Sequence, residues 1–187
     1  MEAATRPLPA VQLVPLNAEH AKNMFQWMTD LEVSANIGLR SEPTLEKTQA
    51  WIRRALNDPE TRAYAILLAE CQVGSLVFDR IDPYLSNARL SIYIGPETAR
   101  GRGVGSVAIR LGLIQAFEML ALHKVWLKVH VHNTRAIRTY LKAGFVMEGI
   151  LRDEFRLAGE FVDAFYMGMR RADFERLDWR GRNGRPA

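Results

Sequence analysis

Apolar residues recur along this chain with two spacings, and the change from one to the other marks out the elements. Alternating or short unbroken apolar runs at Val11–Leu16, Ala63–Ala69, Val73–Ile81, Ala88–Ile94, Lys124–His132, Val146–Leu157 and Phe161–Met169 predict strands. Between them the spacing widens to three and four. Ala21, Met24, Phe25, Met28 and Leu31 predict a helix from Ala18 to about Asp30, capped by Asn17. A stretch holding Gly38 and Pro43 leads to a second helix, from the cap Thr44 to about Leu56. Leu45, Ile52, Ala55 and Leu56 face inward there with Trp51 beside them, and Asn57-Asp58-Pro59 stops it. A third helix runs from about Gly105 to Leu120, with Val107, Ala108, Leu111, Ile114, Phe117 and Leu120 as one stripe. A fourth follows Asn133-Thr134, from Arg135 to about Lys142, and Gly144 closes it; a short one covers Ala172–Leu177. Glu70-Cys71-Gln72 and Ala158-Gly159-Glu160 read as hairpin connections. This order predicts one sheet-centred α/β domain over residues 1–178, with helices on both faces.

Composition alters little. At 187 residues, 48% hydrophobic and 25% charged, the chain has ordinary globular values and length for a substantial core. The net charge of +4 resides mostly in residues 170–187, where six arginines face three acids. The body is therefore nearly neutral and no nucleic-acid partner is implied; residues 179–187 read as a frayed basic tail. The single cysteine, Cys71, excludes an internal disulfide framework and a multi-cysteine metal site, and reads as structural. With no leader pattern and no bilayer-length apolar run, a cytoplasmic protein without membrane contact is expected.

Chemistry enters at Ile92-Tyr93-Ile94-Gly95-Pro96-Glu97-Thr98-Ala99-Arg100-Gly101-Arg102-Gly103-Val104-Gly105-Ser106. A strand ends at Gly95-Pro96, a glycine-rich loop follows, and a helix starts. Glycines at 101, 103 and 105 admit positive φ and close approach of a ligand. Their N–H groups and the positive end of the helix form an anion nest, to which Arg100 and Arg102 add charge-assisted donors. A P-loop would need a lysine that is absent; a dinucleotide fingerprint would need glycine or alanine where Ser106 stands. The pattern predicts a pyrophosphate cradle.

Arg100-x-x-Gly103-x-Gly105 in that setting resembles the acetyl-CoA pyrophosphate motif of the GCN5-related N-acetyltransferase (GNAT) superfamily. Asn133-Thr134-Arg135-Ala136-Ile137-Arg138-Thr139-Tyr140-Leu141-Lys142-Ala143-Gly144-Phe145 is similar to its next signature, an Asn, then a Tyr, then Gly-Phe. Glu148-Gly149-Ile150-Leu151-Arg152, with Asp163 and Met167, is similar to the branch of ribosomal-protein N-terminal, spermidine and amino-sugar acetyltransferases. The resemblance implies a mixed, strongly bent sheet whose parallel central strands, 88–94 and 125–131, splay at their C-terminal ends. Acetyl-CoA, the acyl donor, would place its pyrophosphate on Arg100, Gly101, Arg102, Gly103, Val104, Gly105 and Ser106. Its pantetheine would pair with the backbone near Ile92 and Ile94. Tyr140 would protonate, or hydrogen-bond to, the departing thiolate, while Asn133 either bonds the pantetheine or caps its helix. A homodimer is common among similar proteins.

Acyl transfer needs a neutral amine, and a primary amine with a pKa near ~10.4 gives up its proton at pH 7 at a cost of about 4–5 kcal/mol. Many relatives carry a strand glutamate for this, but Arg89 stands at the matching position. His130, His132, Asp79 and Glu154 remain open as bases, as does a water chain; no metal is required. Acceptor recognition is expected from residues 30–44, the 82–87 loop and the 152–165 hairpin, with Trp27, Tyr84 and Phe155 as wall aromatics. Lacking an acidic cluster, these segments favour a small primary amine, amino-sugar or amino-acid-like, over a polyamine. A protein N-terminus and a non-catalytic CoA-binding module are the alternatives.

Overall fold

Alternation sends neighbouring side chains to opposite faces of one seven-stranded sheet, and each face carries its own helices. The structure, a computed structural model, describes residues 9–157 and 159–177; the tail expected over 179–187 lies outside the described residues. In chain order the elements are β1 (Val11–Pro15), α1 (Ala21–Met28), α2 (Leu31–Asn36), α3 (Leu45–Asn57), β2 (Arg62–Leu68), β3 (Cys71–Asp82) and β4 (Asn87–Ile94). Then come α4 (Val104–Ile114), β5 (Lys124–His130), α5 (Thr134–Lys142), β6 (Val146–Leu157), β7 (Glu160–Arg170) and α6 (Arg171–Arg176). The strands lie in the order β1-β2-β3-β4-β5-β7-β6; β4 and β5 run parallel and the other described pairs antiparallel.

Ile66, Leu76, Phe78, Leu90 and Leu127 enter one core with Ala108, Ile109 and Leu113 of α4. Ala65, next to Ile66, enters a smaller core with Leu16, Ala21, Met24 and Ile52 beneath α1 and α3. Full burial of a large apolar side chain stabilises by about 1.5–3 kcal/mol. The period of two is therefore enough to sort the faces.

Three expectations are corrected. The first helix ends early: from its Asn17 cap a 3-10 turn (Ala18–His20) runs straight into α1, which stops at Met28, and Asp30 then accepts from the Glu32 N–H (2.8 Å) to start α2. Leu31 continued the helical spacing but lies exposed. On α4 the buried face is Val104, Ala108, Ile109, Gly112 and Leu113, rotated from the expected stripe. A Cβ on Gly112 would stand 2.7 Å from Leu76 Cδ1, so the helix approaches β3 along its glycine. Finally, the first hairpin turns at Ala69 and Glu70 (φ 47 and 67), and Cys71 opens β3 with an exposed thiol instead of packing in the core. Among the described residues no helix is long and apolar enough to cross a membrane.

Candidate active site

The parallel pair is short. Asn87, Ala88 and Arg89 match Lys124, Val125 and Trp126, and there pairing ends. Trp126 fastens that closed end: its Nε1–H donates to Asn87 Oδ1 (3.1 Å) while its ring stacks on Tyr166 (5.2 Å). Beyond it β4 continues against β3 and β5 against β7, so the facing edges part as expected.

At the β4 lip, Gly95 N–H donates to Val73 O (2.9 Å), and the Trp27 indole lies where a Cβ on Gly95 would be. Only glycine fits there. The loop then exposes Gly101 (φ 72) and Gly103 (φ 85), the latter serving as N-cap of α4. The N–H groups of Val104, Gly105 and Ser106 belong to the first helical turn, where no intrahelical acceptor exists. They form an anion site at the positive end of the helix. A Cβ on Gly105 would meet only Ile94 Cγ1, at 3.8 Å.

The two arginines of the loop differ. Arg102 is exposed and has no ion pair among the described residues. Arg100, expected to reach for phosphate, is held by groups of the protein. Its side chain is 8% exposed and donates to Ile94 O (3.0 Å), Gly95 O (2.6 Å), Glu32 Oε2 (2.7 Å) and Asp30 Oδ2 (2.8 Å). Arg100 thus anchors the loop, and the carbonyl of Ile94 is already occupied.

Those two carboxylates belong to α2 and its cap, and α2 straps the open gap. On the β4 side it holds Arg100. On the β5 side Glu32 Oε1 meets Arg135 (3.1 Å), and Asn36 Oδ1 accepts from Asn133 Nδ2 (2.7 Å) with His130 Nε2 at 2.8 Å. Asn133 also caps α5, its Oδ1 accepting from the Ala136 N–H at 3.0 Å. Of its two expected roles, capping is therefore present.

Tyr140 lies on α5 with its ring 7% exposed, edge-on to Phe145 (5.7 Å). Its hydroxyl has no hydrogen-bond partner among the described residues, and burial pushes its pKa up to about 12. Of the four base candidates, Asp79 lies in the fork of Arg89 (2.7 and 2.5 Å), Glu154 is paired with Lys128 (2.5 Å), and His132 is exposed. His130 is buried and stands apart from them.

On the sheet face opposite α4, a cavity of about 390 Å³ lies between β3, β4, α1, α3 and the segment after α2. Met24, Met28, Ile37, Leu39, Trp51 and Tyr93 give it largely apolar walls; Glu42, Lys47, Arg54 and Asp79 are its charged residues. Residues 37, 39 and 41–43, within the stretch expected to border the acceptor, line this cavity, and Trp27, Tyr84 and Phe155 do not. Trp27 covers Gly95, Phe155 packs beside Gly38 and His130, and Tyr84 is 92% exposed. Trp51 and Tyr93 take their place. Tyr93 was legible as the alternate-face residue of β4, opposite Ile92 and Ile94. Among the described residues no group of His, Cys, Asp and Glu side chains is placed to hold a metal ion.

Gly105→Ala separates fold from site. Alanine is favoured over glycine in a helix by about 0.5–1 kcal/mol, which predicts a melting temperature unchanged or raised by about 2 °C. The same methyl narrows the anion site, so the stabilisation that acetyl-CoA confers should largely disappear. Thermal unfolding with and without acetyl-CoA measures both, and an undiminished ligand shift would refute the placement.

Residues 11–146 match the acetyltransferase (GNAT) domain family, and the chain belongs to that family. It is 39% identical over 91 residues to the spermidine N(1)-acetyltransferase of Vibrio cholerae, a match spanning 49% of this chain and about half (52%) of that protein. It is 31% identical over 126 residues to the uncharacterized SPbeta prophage-derived N-acetyltransferase YokL of Bacillus subtilis, covering 67% and 70% of the two chains. The crystal structure of the Vibrio cholerae spermidine N-acetyltransferase with CoA and spermine superposes with a TM-score of 0.84 over 88% of this chain and 98% of that one. At 21% identity that likeness concerns the fold.

Proposed function

We propose that this chain is an acetyl-CoA-dependent N-acetyltransferase that transfers the acetyl group to a small primary amine by direct attack on the thioester. The observation that carries the reading is the parting of β4 from β5 after Arg89 and Trp126, with the glycine loop and the start of α4 on one lip. The N–H groups over Gly101–Ser106, with Arg102, hold the pyrophosphate. The free edge at Ile92 pairs with the pantetheine, and the thioester lies toward Tyr140. Arg100 keeps the loop in shape without touching phosphate.

The cavity supports an amino-acid-like monoamine with an apolar body. Its walls are thioether, aliphatic and indole surface, which suits apolar groups better than a sugar's hydroxyls. Two of its polar groups are engaged, Ser75 donating to Tyr64 O (3.1 Å) and Thr48 to Thr44 O (2.9 Å). Kinship with spermidine acetyltransferases makes a polyamine the second reading. Against it, the cavity's two acids are matched by Lys47 and Arg54, and Asp79 is already bound to Arg89. We place the reaction in the cytoplasm.

Thiol release from acetyl-CoA, with mass spectrometry of the product, tests this over L-methionine, 2-phenylethylamine, glucosamine, spermidine and a peptide with a free N-terminus. Acetylated L-methionine or 2-phenylethylamine is the expected product. Turnover confined to spermidine or the peptide would refute the acceptor assignment, and tight acetyl-CoA binding without turnover on any amine would make the chain a CoA-binding module.

A further inference from the structure

Three side-chain atoms among the described residues are sealed from water and lack a hydrogen-bond partner: Gln72 Nε2, the Tyr93 hydroxyl and His130 Nδ1. Such groups are rare in folded proteins and call for a reason. Gln72 is held through its other amide atom, by Asn23 (3.0 Å). The remaining two occupy matched positions. The β4–β5 pairing ends at Arg89 opposite Trp126, and Tyr93 and His130 each stand four residues further on. Arg89, Ser91 and Tyr93 alternate with Leu90 and Ile92 of the larger core, as Trp126, Lys128 and His130 alternate with Leu127 and Val129. Both side chains therefore issue from the same sheet face, one on each side of the gap, and Tyr93 also lines the cavity.

Hydrogen bonds determine which nitrogen of His130 carries its proton. The Ala136 N–H orients Asn133, so the Asn133 amide must donate to Asn36 Oδ1. That oxygen is then an acceptor for His130 as well, and Nε2 bears the hydrogen. Nδ1 is left as a bare lone pair. The other base candidates are committed to arginine or lysine, or exposed.

We infer that the acceptor nitrogen is received between the Tyr93 hydroxyl and His130 Nδ1, and that Nδ1 takes the first proton the amine gives up. The inference rests on the acyl-transfer reading and adds the base that reading lacks. One proton passes from the ammonium to Nδ1 and later to solvent. The freed lone pair forms the C–N bond, the C–S bond breaks, and the second proton from nitrogen ends on the CoA sulfur. Asn36 is a positioning residue that keeps Nδ1 bare. Burial first, and His132 second, hold His130 below its ordinary pKa, so it is neutral at pH 7. Of the charged groups on the packed elements, Glu32 of α2 is paired with Arg100 and Arg135 and Glu154 of β6 with Lys128 of β5, while Asp163 of β7 accepts from the Asp153 N–H (3.0 Å) and Arg138 of α5 has no ion pair among the described residues.

The test uses the best acceptor of the panel above. His130→Gln is expected to lower kcat by about 10²–10³-fold at pH 7 and to make it rise tenfold per pH unit as hydroxide replaces the base. The thermal shift given by acetyl-CoA should match the wild type. Asn36→Asp puts a carboxylate beside Nε2–H, which raises the imidazole pKa and moves the acid limb of the kcat profile to higher pH. A His130→Gln enzyme within threefold of wild type, or an unmoved acid limb in Asn36→Asp, would overturn the inference while leaving acyl transfer intact. Wild-type protein that binds acetyl-CoA but acetylates no amine would overturn the parent reading, and this one with it.

Discussion

Tyr140→Phe is expected to lower kcat by about a hundredfold while changing acetyl-CoA affinity less than twofold. The size follows from what the phenol does. Its pKa of about 12 lies roughly 3.5 units above that of a thiol, so full proton transfer to the thiolate is uphill by about 5 kcal/mol. Under the proposed mechanism Tyr140 stabilises the departing sulfur as a hydrogen-bond donor, and the proton that ends there comes from the amine. Losing one donor aimed at developing charge typically costs 10²–10³ in kcat. The fold should not suffer, because the hydroxyl has no partner among the described residues to lose. Steady-state kinetics beside a melting curve checks both halves. A variant as active as the wild type would remove Tyr140 from the mechanism, and one that unfolds early would make it a packing residue.

Arg100→Met should be the most damaging change to stability near the site. The guanidinium is nearly buried and serves two carbonyls and two carboxylates at once. Asp30 and Glu32 are about half exposed and regain water, whereas Gly95 is buried and Ile94 half-buried, so their carbonyls lose the guanidinium with little water to replace it. Two lost charge-assisted bonds amount to about 3 kcal/mol, or roughly 10 °C in melting temperature for a chain of this size. Acid dependence gives a second signature. The Arg100 hydrogen bond, then the Glu32 N–H, holds the Asp30 carboxyl below the ordinary carboxylate range. A carboxylate with a lower pKa folded than unfolded contributes stability above its unfolded value, ~3.9, and loses it as pH falls through the folded value. Wild-type stability should thus decline below about pH 4, and Arg100→Met should flatten that part of the decline. Thermal melts between pH 2 and 7 decide it; identical acid profiles would mean that the pair contributes nothing.

The glycine loop and the helix start were legible in the sequence because both are backbone features, whereas the parting of β4 from β5 was available only as what the family resemblance implies. Glycine spacing reports positive φ, and strand-loop-helix order reports where a helix starts. The anchoring role of Arg100 is not legible locally because its acidic partners lie 68 and 70 residues upstream, a distance no local pattern spans. The strap α2 is not legible for a related reason: at six residues it is too short to show a period, although Asp30 before Leu31-Glu32 is a legible cap. His130 is legible as a candidate, yet its bare nitrogen depends on Asn36 of α2 and the Asn133 cap of α5, oriented by Ala136, meeting it at the end of β5. Which aromatics line the cavity beside β3 and β4 likewise depended on packing, since Trp27 and Trp51 carry equally apolar rings and only Trp51 faces the space.

Calorimetric titration of the wild type and Gly105→Ala with acetyl-CoA and with S-acetylpantetheine, which lacks the pyrophosphate and nucleotide, tests the central claim most directly. Two or more charge-assisted bonds from the loop predict wild-type binding of the fragment about 100-fold weaker, and Gly105→Ala should bring the two ligands close to parity. Equal affinity of the wild type for both would contradict a pyrophosphate held over Gly101–Ser106.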